Sequence, residues 1–485
     1  MKINTIFVLL LAYCRIFAQF GSFGLNDPYS VSLAGSVTPI AFGVYALNSN
    51  PANLSLFNKY NLEIITPLPF PNLFIRAGLN FFNIKEYNHF FGGVLNEQGI
   101  YVARLLTNKD KKRFVKLFDD DAKIKANVSS NIFSFYYNFN NYLGAFGLSA
   151  NEIVFASFFI PKTIANFING NEINRIYDFS KADFKSSWYR VYSFSYSNEI
   201  FQFLNRKDFF LSFGFSIKYY NGYFILKNNN SSGYISFGDM AQIDINYKAE
   251  LSSSFSPNLG LKHLFEDDTV KYKQDISPYL KPAGSGFGYD FGIYFKPLPF
   301  IGISAAIKDL GKIKWHQKTA LYYSKGEAYF DGIQDLINEN TRDDIIDSIL
   351  NSLVQDTSHW SSSFYTNTPT NLKLGLCFDF SNSLINFDGI LRLSFDLSKG
   401  FNDEYLNSRK PRYSFGFEFQ LERHRPIIRI GYSYGGNDFN FWSAGLAYNY
   451  NFFEIAFGIS DIQYLVQNLR YLNRVGFAFG TKFTL

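Results

Sequence analysis

Five histidines, His89, His263, His316, His359 and His424, are the first candidates for chemistry in this chain of 485 residues. A helical zinc hydrolase places two histidines and a glutamate on one helix face as HExxH, and no such spacing occurs. No phosphate-binding loop of the GxxxxGK[ST] type is expected, and no GxSxG nucleophile elbow. Gly284-Ser285-Gly286-Phe287-Gly288 is rich in glycine, but its glycines alternate along a strand, which suits a small inward face better than a phosphate cradle. Cys14 and Cys377 are the only cysteines and form no CxxC pair. Lys109–Arg113 is basic, yet Asp119–Asp121 follows closely, which reads as a solvated loop face. Net charge is +5, from 46 basic and 41 acidic residues, without the basic clustering of a nucleic-acid surface. The sequence therefore predicts no enzyme, no catalytic residue, no metal, no cofactor and no nucleic-acid partner. A hydrolase assembled from Ser, His and Asn on separate strands stays open as an alternative.

The elements that would position any site are strands. Aromatic residues make up 20% of the chain, with 57 Phe and 34 Tyr, while mean hydropathy is only -0.09. A helical membrane protein needs runs of about 20 apolar residues, and none follows the leader. Alternation reconciles the two values. Tyr413, Phe415, Phe417, Phe419 and Leu421 alternate with Ser414, Gly416, Glu418 and Gln420. Phe287, Tyr289, Phe291, Ile293 and Phe295 alternate with Gly288, Asp290, Gly292 and Tyr294. The same pattern holds over Phe209–Tyr219, Leu372–Phe380 and Trp442–Tyr450. Successive strand side chains point to opposite faces, so each segment has one apolar face and one small, lightly polar face. Strands of about 9–11 residues cross a bilayer at a tilt.

Tight links at Lys296–Phe300, Glu422–Pro426 and Asn449–Asn451 alternate with long insertions at roughly Asp309–Thr370, Lys399–Lys410 and Asp461–Asn473. Outer-membrane barrels pair short periplasmic turns with long outer loops in this way. The last segment, Val475–Leu485, places Phe477, Phe479, Phe483 and Leu485 on one face, as in chains handed to the barrel-insertion machinery. The expected fold is all-β: a transmembrane antiparallel β-barrel of about 14 strands over residues 60–485. Residues 1–18 read as a secretory signal peptide, with Lys2 before the apolar Ile6–Tyr13. Within the longest insertion, Asp343–Val354 has helical spacing and acidic residues at its start, which predicts a short helix in an outer loop. The expected location is the outer membrane of a Gram-negative bacterium, with the chain surrounded by outer-membrane lipid.

Between leader and barrel lie residues 19–59, rich in Gly and Ala and ending in Asn48-Ser49-Asn50-Pro51-Ala52-Asn53-Leu54. Pro51 fixes its own φ and keeps Asn50 out of the helical region, and Asn50 can bond to its local backbone. This segment resembles the N-terminal signature of the FadL-like outer-membrane transport superfamily, which includes long-chain fatty-acid channels and the PorV-like proteins of type IX secretion. The usual motif continues Asn-Pro-Ala-Gly-Leu; here Asn53 replaces the Gly and Leu54 is retained. Gly286–Trp315 resembles that group's paired strands, with Asp290-Phe291-Gly292 in one and Asp309-Leu310-Gly311 before Trp315 in the next. Tyr365–Thr370 and Gly431-Tyr432-Ser433 are similar to further segments of these families, and Lys162–Gly170, after Ile160-Pro161, resembles a segment of uncharacterised relatives in the same broad group of Gram-negative barrel proteins. The resemblance implies a plug or hatch at residues 19–59, with Asn50, Pro51 and Ala52 holding its turn and not touching ligand.

Three functions fit. One is a passive channel for hydrophobic small molecules such as long-chain fatty acids. Another is a PorV-like component of a secretion or surface-assembly system that binds a partner protein through its large loops. The last is a structural porin or adhesin, since inward Asp290, Lys373, Asp379, Glu418 and Arg429 do not decide the lumen's character.

Overall fold

A computed structural model describes residues 25–485 apart from 57–60, 120–121, 140–142, 201–209, 240–241, 260, 262–280, 331–354, 382–388, 423, 437–438 and 451. The expected leader at 1–18 and the expected helix at Asp343–Val354 lie outside the described residues.

Fourteen antiparallel strands close into a barrel. Strand β1 is built of two pieces, Leu62–Ile65 and Asn72–Leu79. Then follow β2 (Ala122–Asn138), β3 (Ala145–Ile160), β4 (Asp183–Glu199), β5 (Phe210–Phe237), β6 (Gly284–Leu298) and β7 (Ile301–Trp315). The second half is β8 (Asn371–Asp379), β9 (Ile390–Gly400), β10 (Arg412–Gln420), β11 (Ile427–Gly435), β12 (Phe439–Tyr450), β13 (Phe453–Ser460) and β14 (Arg474–Thr484). Each strand pairs with the next, and β14 closes on β1 through Ile64–Phe483 and Leu73–Phe479.

The alternation sets the two faces. On β5, Phe213, Phe215, Ile217 and Tyr219 are exposed, whereas Ser212, Ser216, Lys218 and Tyr220 are buried. Phe287, Tyr289 and Phe291 on β6 and Tyr413 and Phe415 on β10 continue the same outward band. Closure pairs each described wall strand on both sides, so the paired backbone is satisfied without water, and the band of rings faces hydrocarbon. Among the described residues no helix is long and apolar enough to cross a membrane; the crossing is made by strands. The protein resides in the outer membrane of a Gram-negative bacterium.

One rim carries the chain end, where Leu62 and Leu485 exchange backbone hydrogen bonds, and short links such as Leu298–Ile301 and Tyr450–Phe453. By the usual rule this is the periplasmic rim. The long connections leave the opposite rim. The insertion expected from Asp309 begins instead after Trp315: Asp309 sits at a bulge with φ 55°, and β7 resumes beyond it. The insertion expected at Asp461–Asn473 fills the interval between β13 and β14.

Strand β1 breaks because Pro67, Pro69 and Pro71 cannot donate to a ladder. The Asn72 side chain mends the gap by accepting from the Thr481 backbone N–H at 2.7 Å. Strand β5 departs from expectation in the other direction. It continues past the wall, and Ile243–Phe255, Thr319–Phe330 and Gln355–Trp360 pair onto it in succession as a sheet that projects beyond the outer rim. The Asn228–Ser232 stretch reads as turn chemistry, but cross-strand pairing overrides it.

Lys109–Arg113, read above as a loop face, lies in a helix, Asn108–Lys116. Thr107 and Asp110 form its capping box, and Phe114 and Val115 pack on the Phe81–Phe118 cluster. Hydrogen bonds from Thr107 and then from His89 hold the Asp110 carboxyl well below the usual carboxylate range.

Candidate functional site: the inner segment and its seat

Residues 25–56 lie inside the barrel and are almost wholly buried. Their secondary structure is local and brief. Asp27 and Ser30 form a capping box around Pro28–Ser32, and short 3₁₀ helices follow at Gly43–Asn48 and Pro51–Ser55. Helical pieces this short are unstable alone, so the wall must hold them.

Asn50, Pro51 and Ala52 form one of the points of attachment. The Asn50 side chain caps the second 3₁₀ turn by accepting from Ala52 N at 3.0 Å. Its amide Nδ2 donates to the Ile293 carbonyl on β6 at 3.2 Å. The Ala52 carbonyl accepts from Ser197 on β4 and from Ser212 on β5, each at 2.9 Å. Tyr136 on β2 donates to the Leu54 carbonyl at 3.0 Å. Pro51 supplies the fixed φ at the first position of the turn.

The small inward residues of the wall are the imprint of this segment. A Cβ added at Gly292 would run into Asn50 Oδ1, and one at Gly214 would meet the Pro51–Ala52 backbone. Gly431 and Gly445 likewise admit Ala34 and Ser32. The glycines permit close backbone approach rather than bordering an aqueous lumen.

Beside the turn sits a buried charge cluster. Lys218 on β5 bridges Asp290 on β6 at 2.7 Å and Asp309 on β7 at 2.6 Å. Tyr220 donates to Asp309 at 2.5 Å, and the Asp309 backbone N–H donates to Asp290 at 2.7 Å across the bulge. Lys308, next along β7, donates to the Asn48 carbonyl two residues before the turn. Two carboxylates and two ammoniums balance, as buried charge requires. The Asp-x-Gly and Asp-Leu-Gly spacings thus acquire a physical role. Asp290 ties down the bulge, Gly292 clears space for Asn50, and Gly311 admits the Phe287 carbonyl. Their contact with the turn was not foreseeable from spacing, because it depends on which inward residues the strand register aligns.

A second set of charges runs around the periplasmic half. Lys482 pairs with Glu63 and Glu454, both at 3.2 Å; Arg429 pairs with Glu418 at 2.9 Å; Arg392 pairs with Glu418 at 3.3 Å and Asp379 at 2.8 Å. The inner segment lays rings against these cations, with Tyr29 4.5 Å from Arg429 and Tyr45 4.7 Å from Lys482. Asp396 on β9 accepts from Val37 N, Thr38 N and Thr38 Oγ1 at 2.7–3.0 Å.

Above the inner segment, towards the outer rim, one part of the interior is an apolar cluster. Phe155, Tyr189, Tyr220, Ile313 and Trp315 cluster with Tyr405 and Leu406, which dip in from the β9–β10 loop. Trp315 is fully buried and donates to Thr366 at 2.9 Å. Gly431-Tyr432-Ser433-Tyr434-Gly435 has the GxSxG spacing of a nucleophile elbow. Ser433, however, lies within β11, paired with Ser414 at 3.2 Å, and the next described element is another strand, β12, rather than a helix. Among the described residues no group of three or more His, Cys, Asp or Glu side chains could hold a metal.

A profile of DUF5723, a family of unknown function, matches residues 71–460. The chain belongs to DUF5723. No curated protein matches the sequence. Solved structures resemble this DUF5723 barrel over nearly the whole chain. A FadL homologue from Pseudomonas aeruginosa is 11% identical, covers 97% of this chain and 100% of its own, and gives a TM-score of 0.44. The toluene transporter TbuX from Ralstonia pickettii is 11% identical, covers 95% and 98%, and gives 0.43. A mutant of the monoaromatic hydrocarbon channel TodX is 11% identical, covers 95% and 98%, and gives 0.47. These belong to the FadL-like group that the motifs around Asn50 and Asp309 resemble.

Replacing Pro51 with glycine is expected to loosen the turn by about 0.4–1 kcal/mol, through added freedom of the undocked chain. Liposome conductance checks it: a modest rise, about two- to fivefold, is expected, with the barrel's heat-modifiable gel mobility unchanged.

Proposed function

We propose that the protein is a passive outer-membrane channel for hydrophobic small molecules, long-chain fatty acids among them. In this reading residues 25–56 are a movable plug, and Asn50, Pro51 and Ala52 hold the turn that seats it. The supporting observation is the apolar, aromatic cluster above the segment, formed by Phe155, Tyr189, Tyr220, Ile313 and Trp315. A water-filled pore has a polar lining, whereas an apolar interior with a few polar groups suits an apolar ligand. Tyr405 and Leu406 occupy that interior from a loop, so a ligand enters by replacing them. Passage needs no energy source and no covalent step.

Uptake of radiolabelled laurate into Gram-negative cells lacking their own fatty-acid channel tests this. Expression of the chain should raise uptake. The Tyr405→Ala/Leu406→Ala double variant should raise it severalfold further, without admitting sucrose. Uptake no higher than in empty cells, for both forms, would remove the proposal.

The projecting sheet supports a second reading, a PorV-like accessory that binds an exported protein. Among the described residues, its outermost strand, Gln355–Trp360, is paired on one side only, and a free edge can accept a partner strand. Co-purification of exported proteins, lost on deleting residues 319–360, would favour it.

A further inference from the structure

The connection from β1 to β2 packs on the outward side of the wall. Residues of β1 alternate in facing lipid, with Ile75 exposed and Phe74 and Arg76 buried. Phe81 continues the outward series. It clusters with Phe118 and with Leu79, Ala122 and Ile160, which occupy outward positions on β1, β2 and β3. The connection therefore forms a lobe outside the cylinder, directly above the lipid-facing band.

This lobe exposes large apolar side chains. Leu105 is 95% exposed and Tyr101 72%, with Tyr87, Phe91, Leu95 and Ile100 also open. The β13–β14 connection joins it: Ile84 N donates to the Leu472 carbonyl at 3.1 Å, and Val466 there is 76% exposed. Rings and aliphatic chains grouped at this density on a monomer's surface call for a covering phase.

Charge identifies that phase. On the lobe's helix Asn108–Lys116, Phe114 and Val115 face the cluster, whereas Lys109, Lys112 and Lys116 are exposed. Their spacing places all three ammoniums on one helix face. An apolar surface continuous with the lipid-facing wall and bordered by a lysine stripe has the composition of an interfacial membrane anchor.

We propose that this lobe lies in the outer leaflet of the membrane, with Tyr101, Leu105 and Val466 among the acyl carbons nearest the headgroups and the Lys109–Lys112–Lys116 stripe on anionic lipid phosphates. Anchored there, the lobe fixes the barrel's depth and couples β1, the strand broken by prolines, to the surrounding lipid. Attraction to anionic headgroups falls with ionic strength, and the apolar contribution does not.

The full chain in lipid nanodiscs tests the proposal. With Cys14 and Cys377 replaced by alanine, a fluorophore is placed at Leu105→Cys or Tyr101→Cys, and at Lys325→Cys on the projecting sheet as an aqueous reference. In phosphatidylcholine, nitroxide lipid labelled near the headgroup should quench the first two severalfold more than the reference. Adding phosphatidylglycerol should deepen that quenching. Lys109→Glu/Lys112→Glu/Lys116→Glu should abolish the added effect and leave the phosphatidylcholine value intact. Quenching at positions 101 and 105 equal to that at 325 would overturn the anchor and leave the patch to a protein partner. Equal quenching with and without phosphatidylglycerol would overturn the role of the lysines.

Discussion

Gly292→Leu should unseat the inner segment while leaving the barrel closed. A side chain at 292 points inward and collides with Asn50 Oδ1, and Ala52 N lies 3.1 Å from the added Cβ. The wall cannot yield easily, because β6 is paired along its length with both β5 and β7. The inner segment can, because its own helical pieces are at most six residues long. Overpacking of this kind costs about 1–3 kcal/mol. Charged to the docked state alone, that multiplies the undocked population roughly 5- to 150-fold. Ion conductance in planar bilayers should rise accordingly. Ala305→Leu, an outward position on β7, should leave conductance unchanged. Equal conductance in Gly292→Leu and the parent chain would mean that the turn is not seated on β6.

The largest stability loss is expected at Asp461. Its carboxylate lies between two buried guanidiniums, Arg76 at 3.0 Å and Arg474, and accepts from Ser460 Oγ at 2.8 Å. Asp461 also adopts φ 65°, which asparagine tolerates better than most residues. Asp461→Asn therefore keeps shape and backbone while removing the charge. Two buried cations then lose their counter-ion, a change of the kind that costs about 3–5 kcal/mol. The exposed pair Arg409–Asp403, 3.6 Å apart, offers a contrast. Asp403→Asn should change stability by about 0–1 kcal/mol. Denaturant unfolding in lipid vesicles separates the two outcomes.

The strands were legible because lipid imposes a strict rule on each one separately. Tyr413–Leu421 and Phe287–Phe295 show their two faces without knowledge of any partner. The long connection at Asp461–Asn473 was legible for the same reason, since alternation stops there. What depends on pairing was not legible. The projecting sheet uses Asn228–Ser232 as strand, which local composition argues against. The inward charges could be counted along each strand, but not matched. Lys218 reaches Asp290 and Asp309 only through the register of β5, β6 and β7. The glycines of the inward face were visible as small residues. That Gly292 and Gly214 face the Asn50-Pro51-Ala52 turn required the third dimension. Helix Asn108–Lys116 was hidden because its lysines dominate its composition, while Phe114 finds its neighbours across the loop.

Planar-bilayer conductance of the intact chain, compared with the chain lacking residues 25–56, bears most directly on a lipid-embedded cylinder stoppered from within. The intact chain should insert and stay almost closed to ions. The truncated chain, with barrel formation checked by heat-modifiable gel mobility, should conduct continuously. An intact chain that conducts as freely as the truncated one would contradict the account.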